Sequence, residues 1–110
     1  MAKLSGNFLG ASVIEVLGEA LALVGKAGID KRRYLEFLTS TPAGFAAPLG
    51  QKDIRLLLAA AEDLRVPMPV ASLLRDRFLN LLAHGGEGLD WSAIGWLPAT
   101  DAGTAAFSTL

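Results

Sequence analysis

At 110 residues the chain has the length of one domain, enough to bury roughly two-thirds of the surface its unfolded form exposes. Hydrophobic residues make up 52% of it and charged residues 19%, an apolar excess over ordinary soluble domains that calls for cover by a partner or a second copy. Ten basic residues against eleven acidic ones, no cysteine and the single histidine His84 exclude a basic nucleic-acid surface, a disulfide framework and a thiolate or His-rich metal centre.

The first predicted element is one long helix from Lys3 to Ala27. Leu4, Phe8, Leu9, Val13, Val16, Leu17, Ala20, Leu21 and Val24 recur at helical spacing and wrap more than one narrow face. A helix apolar on most sides is expected to be surrounded by neighbours. Gly28 stands where a left-handed terminator belongs, with Lys26 in the last turn. Gly6 and Gly10 share a face and predict close approach of another helix, with a ligand-facing groove as the lesser alternative. Glu15 and Glu19 interrupt the apolar run, so neither a signal peptide nor a membrane span is expected, and the cytoplasm is the default compartment. The same two carboxylates are expected to form a solvent-facing charged stripe, with pairing to basic residues elsewhere as the lesser alternative.

Asp30 is a credible N-cap for a second helix, Lys31 to Thr39, with Tyr34, Leu35 and Leu38 as its buried stripe. Proline, glycine, serine and threonine then mark Thr39 to Gly50 as a loop. A third helix is expected over Lys52 to Leu64, with Ile54, Leu57, Leu58 and Ala61 on one side. Pro67-Met68-Pro69 makes a stiff break, since a residue before proline is pushed out of the helical region. A fourth helix runs from Val70 to His84, where His84 complements the helix C-terminus ahead of Gly85-Gly86. Asp90 caps a short last helix, Trp91 to Leu97, with Pro98 ending it and residues 99–110 forming a flexible tail. No segment alternates long enough to read as a strand. The fold class is all-α: four to five helices around one long N-terminal helix, forming a domain over residues 1–98.

The order of the motifs resembles a known family. Lys3-Leu4-Ser5-Gly6-Asn7 at the head of the long helix is similar to the Lys-x-x-x-Asn element of the 3-hydroxyacid dehydrogenases, the family of 3-hydroxyisobutyrate dehydrogenase and relatives of 6-phosphogluconate dehydrogenase. Glu19 to Leu23 followed by Lys26-Ala27-Gly28-Ile29-Asp30 resembles the family's first helix and its exit. Pro42-Ala43-Gly44-Phe45, Lys52-Asp53-Ile54-Arg55-Leu56 and Val66-Pro67-Met68-Pro69-Val70 continue the pattern in the same order up to about Leu97. The resemblance implies the helical C-terminal domain of such an enzyme, a fold like that of the 6-phosphogluconate dehydrogenase C-terminal domain.

It also implies roles. Lys3 corresponds to the catalytic acid/base and Asn7 to a substrate-holding amide; residues four apart share a helix face, so both can reach one ligand. Phe45 corresponds to a residue lining the substrate pocket, and Lys52 and Asp53 to residues beside the cofactor. Each has a plainer alternative: Lys3 a solvated lysine, Phe45 a hydrophobic plug, and Asp53 a carboxylate at a helix N-terminus. The family's NAD or NADP is held by a Rossmann domain, and no strand followed by Gly-x-Gly-x-x-Gly occurs here. No cofactor is therefore expected on this chain alone, and the chain is expected to be inactive by itself. A homodimer is expected, and no nucleic acid, membrane or metal. The connection from Thr39 to Phe45 is shorter than the family's and lacks a stretch that usually adds helix. The competing readings are a free-standing helical protein-interaction module and a module that binds a small acid without turnover.

Overall fold

A computed structural model describes residues 1–40 and 46–103. Among these are five α-helices, α1 (Ala2–Lys26), α2 (Lys31–Ser40), α3 (Ala47–Leu64), α4 (Pro69–Ala83) and α5 (Leu97–Asp101), with short 3-10 segments at Gly86–Gly88 and Trp91–Trp96. The described residues contain no strand, only an isolated antiparallel bridge between Ala46 and Asp90. The chain is all-α. It divides into two compact units, the first comprising Met1–Thr41 with Ala59–Val70 and the second Pro42–Leu58 with Ala71–Leu110.

The first unit is organised by α1. The helix ends in a Schellman arrangement in which Gly28 takes φ +78°. The Ile29 amide donates to the Val24 carbonyl at 2.9 Å and the Gly28 amide to the Gly25 carbonyl at 3.2 Å, which satisfies carbonyls that a helix end otherwise leaves without a partner. Asp30 then caps α2, its carboxylate accepting from the Arg32 amide at 2.8 Å and the Arg33 amide at 3.4 Å. The Lys26 ammonium donates to the carbonyls of Leu64 at 3.2 Å and Arg65 at 3.4 Å, tying α1 to the C-terminus of α3.

Several expectations for this unit are corrected. The stripe expected to bury α2 does not: α2 has no buried residue, Leu35 and Leu38 are exposed, and Phe37 is 62% exposed. A single ten-residue amphipathic helix with little to pack against keeps its apolar side in solvent. The long helix is likewise not surrounded, since Leu4, Leu9, Val13, Ile14 and Leu17 are all exposed. Among the described residues no neighbour lies within 4 Å of a Cβ built at Gly6 or Gly10, so the close approach expected there is not made by them. Glu19 does not face solvent. It is 6% exposed, in contrast to the stripe expected of it. Finally, α1 is long and apolar enough to cross a membrane by length and composition alone, although Glu15 and Glu19 lie within it.

The second unit holds a small core. Ala47 and Leu81 are fully buried and Ala93 nearly so, with Leu82, Leu89 and Ile94 packed against them. Phe78 is 1% exposed. A Cβ at Gly50 would stand 2.9 Å from the Phe78 ring, so α3 comes that close because position 50 carries no side chain. The third helix starts five residues before the expected Lys52, because the Ala47 amide is anchored on the Leu89 carbonyl at 2.9 Å. Pro48 sits in its first turn, where the missing N–H costs nothing. Gly85 ends α4 with φ +86°. The Asp90 side chain caps the segment that follows, accepting from the Ser92 amide at 3.1 Å. That segment is 3-10 rather than α, and Pro98 opens α5 instead of ending the preceding helix.

Candidate functional site

Lys3 and Asn7 lie in the first two turns of α1, both exposed and one helical turn apart. That turn has no side-chain cap from Met1. The Ser5 hydroxyl between them is turned back onto the Ala2 carbonyl at 2.9 Å. Both side chains therefore stand on one exposed helical surface, the arrangement that lets an ammonium and an amide meet one small polar ligand.

Lys52 and Asp53 lie side by side on α3, in the second unit, and are exposed. With α3 beginning at Ala47, Asp53 is a full turn beyond the helix start. It is therefore out of reach of the first-turn amides that would have made it a carboxylate favoured by the helix dipole. Phe45 lies outside the described residues. The structure thus groups the candidates in two pairs, Lys3 with Asn7 and Lys52 with Asp53.

A pyrophosphate is ordinarily cradled where a strand turns through glycines into a helix, and the described residues contain no strand. Among them, no group of three His, Asp or Glu side chains converges in a way that could hold a metal ion.

The residue that sequence reasoning missed is Glu19. Its two carboxylate oxygens accept the Val70 amide at 3.1 and 3.2 Å. Pro69 is the first residue of α4 and carries no N–H, so the Val70 amide is the first donor that helix presents. A buried carboxylate placed there satisfies that donor and lies at the positive end of the helix. One turn back, a side-chain hydrogen bond to Glu19 raises the Glu15 carboxyl above the ordinary glutamate value of 4.5, with desolvation and repulsion from Glu19 adding to it. The available signal was Glu19's register, one helical turn after Val16 of the apolar stripe.

His84 fulfils its sequence expectation. Its Nδ1 lies 2.8 Å from the Asn80 carbonyl, a contact in which a protonated nitrogen donates to the end of α4.

No family model matches the chain. It is nevertheless 32% identical over 112 residues to the uncharacterized oxidoreductase YfjR of Bacillus subtilis (strain 168), across 84% of this chain and 39% of that protein. It is 29% identical over 111 residues to glyoxylate/succinic semialdehyde reductase 1 of Arabidopsis thaliana, across 84% of this chain and 38% of that one. With 2-hydroxy-3-oxopropionate reductase of Escherichia coli (strain K12) the identity is 30% over 112 residues, with the same two coverages. An all-helical chain that matches well under half of these oxidoreductases is consistent with a helical domain of such proteins. More narrowly, it is a relative of the 3-hydroxyacid dehydrogenase type of oxidoreductase.

The chain spans well under half the length of the curated relatives it matches. Within the matched stretch it is also shorter. The span is 112 residues, whereas 84% of 110 is about 92, so about 20 positions of the Bacillus protein have no counterpart here. A stretch of about 20 residues would make five to six turns of helix.

Proposed function

We propose that this stretch is the substrate-side and dimerisation domain of an NAD(P)-dependent 3-hydroxyacid dehydrogenase type of enzyme, working with a separate nucleotide-binding domain. The observation that carries this reading is the pair Lys3 and Asn7, exposed one turn apart at the head of α1, in a chain similar to a glyoxylate/succinic semialdehyde reductase and a 2-hydroxy-3-oxopropionate reductase. In this reading Lys3 holds a proton for the carbonyl oxygen of a bound oxo acid. Asn7 donates from its amide to the same molecule's carboxylate or hydroxyl. Lys52 and Asp53 face the cofactor side, and Phe45 lines the substrate pocket.

The exposed side chains of Leu4, Leu9, Val13, Ile14 and Leu17 on α1 support the dimer. An apolar patch of that length is costly in water and is relieved when a second copy covers it. Burial of Glu19 on the α4 N-terminus favours a water-soluble fold over a membrane-spanning α1, and we place the protein in the cytoplasm.

The test is a nuclear magnetic resonance titration of the purified chain with 3-hydroxyisobutyrate. Shifts confined to residues 1–10 and abolished in Lys3→Ala support the reading. An unperturbed α1 N-terminus argues for an interaction module with no acid-binding role.

A further inference from the structure

We propose that the groove at the exit of α1 is a binding site for a small soluble phosphate monoester carried on an apolar body. The groove has a volume of about 790 Å³ and lies wholly within the first unit. Along α1 it is 23 residues from Lys3, about 35 Å at the helical rise, so it is separate from the pair discussed above.

Three cations line it, Lys26, Lys31 and Arg65, with Asp30 the one carboxylate among its walls. The described ion pairs, Arg75 with Asp76 and Arg77 with Asp101, involve none of them. Asp30 is occupied as the α2 cap. The C-termini of α1 and α3 also meet here, each carrying about half a negative charge, and the N-terminus of α2 carries about half a positive one. Set against three cations and one carboxylate, the helix ends leave a surplus of about one and a half positive charges. A phosphate monoester carries about that charge with opposite sign at neutral pH.

The placement of the cations is built. Lys26 is held by the two carbonyls at the end of α3. Lys31 lies across Gly25, its Cε 3.2 Å from where a Cβ would stand. Arg65 has φ +56°, the one described non-glycine residue with positive φ. It is the residue after α3, and the Val66 amide donates back to the Ala61 carbonyl at 2.9 Å. A helix exit of this form favours glycine there, so the chain keeps a guanidinium at an energetic cost to its backbone. Such strain is characteristic of residues retained for what they bind. The rest of the wall is apolar, with Ile29, Val66 and Pro67 offering a surface for a hydrocarbon or ring.

The experiment is a titration of the full chain with phenyl phosphate, inorganic phosphate and benzyl alcohol, read by amide shifts and calorimetry, on the parent and on Arg65→Gly. The expected result is saturable phenyl phosphate binding with shifts at residues 25–31 and 65–67. Inorganic phosphate should bind more weakly and the neutral alcohol not at all. Arg65→Gly should raise the thermal midpoint, since glycine relieves the left-handed backbone, while weakening phenyl phosphate about tenfold or more through loss of a charge-assisted contact. The proposal is overturned by the absence of saturable binding at millimolar ligand, or by undiminished affinity in Arg65→Gly. Equal affinity for inorganic phosphate overturns the apolar half of it. Recruitment of the chain to vesicles containing phosphatidic acid, without binding of phenyl phosphate, would assign the groove to a lipid surface and overturn the soluble ligand.

Discussion

Replacing Glu19 with alanine removes the acceptor that holds the start of α4. The Val70 amide loses both contacts, 3.1 and 3.2 Å to the carboxylate oxygens, in a part-buried setting. A buried donor left without a partner costs about 1–3 kcal/mol. The loss of a carboxylate from a helix N-terminus adds about 0.3–1 kcal/mol. Relief of the repulsion with Glu15 and the better helix propensity of alanine offset part of this. The net expectation is about 2 kcal/mol of destabilisation, which combines these contributions. For a domain of this size that is about 8–16 °C in thermal midpoint. Glu19→Gln keeps an acceptor oxygen and should lose about half as much, since the hydrogen bond survives without its charge. Urea unfolding followed by circular dichroism measures both variants. A change in Glu19→Ala within about 0.5 kcal/mol, the range of ordinary surface substitutions, would refute the reasoning.

Glu15 supplies a pH test of the same corner. Its folded value is raised above 4.5, so its stabilising contribution is complete below 4.5 and is lost as pH rises through the raised value. Glu15→Gln, which stays neutral, should therefore be more stable than the parent at pH 7, with the difference vanishing below pH 4.5 in parallel thermal melts. Leu81→Ala empties a fully buried core position and should cost about 2–5 kcal/mol, measurable by the same urea unfolding. Gly50→Ala would bring a methyl to 2.9 Å from the Phe78 ring and should cost about 1–3 kcal/mol, with Gly50→Ser no better. Asp101→Asn breaks the 2.6 Å pair with Arg77, whose partners are 31% and 56% exposed, and should cost less than about 1 kcal/mol. Light scattering across a concentration series should give the mass of a dimer, and a monomer at every concentration would remove the dimerisation role.

Much of the fold is legible in the sequence because its signals are local. Asp30 and Asp90 act as caps because a short carboxylate reaches the second or third amide after it. Gly28 and Gly85 end their helices because glycine takes positive φ without strain. The failures are tertiary. The pattern Tyr34, Leu35, Leu38 correctly marks a helical stripe but cannot tell whether anything lies against it. The start of α3 at Ala47 depends on a carbonyl at Leu89, more than forty positions away. Glu19 reads as a surface charge until its acceptor role toward Val70, 51 positions on, is seen. Candidate site residues were legible only through family resemblance, since an exposed lysine and asparagine four apart occur on many solvated helices. The position after Leu64 was a further missed signal: an arginine stands there, directly before the Val-Pro-Met-Pro break, where a helix exit favours glycine.

The central claim is that this chain contributes the substrate side of a dehydrogenase and leaves the dinucleotide to another domain. Calorimetric titration of the purified chain with NADH and NADPH tests it most directly. The account predicts no saturable heat with either nucleotide. Saturable binding of one of them would contradict it, because the helices described here would then hold the cofactor themselves.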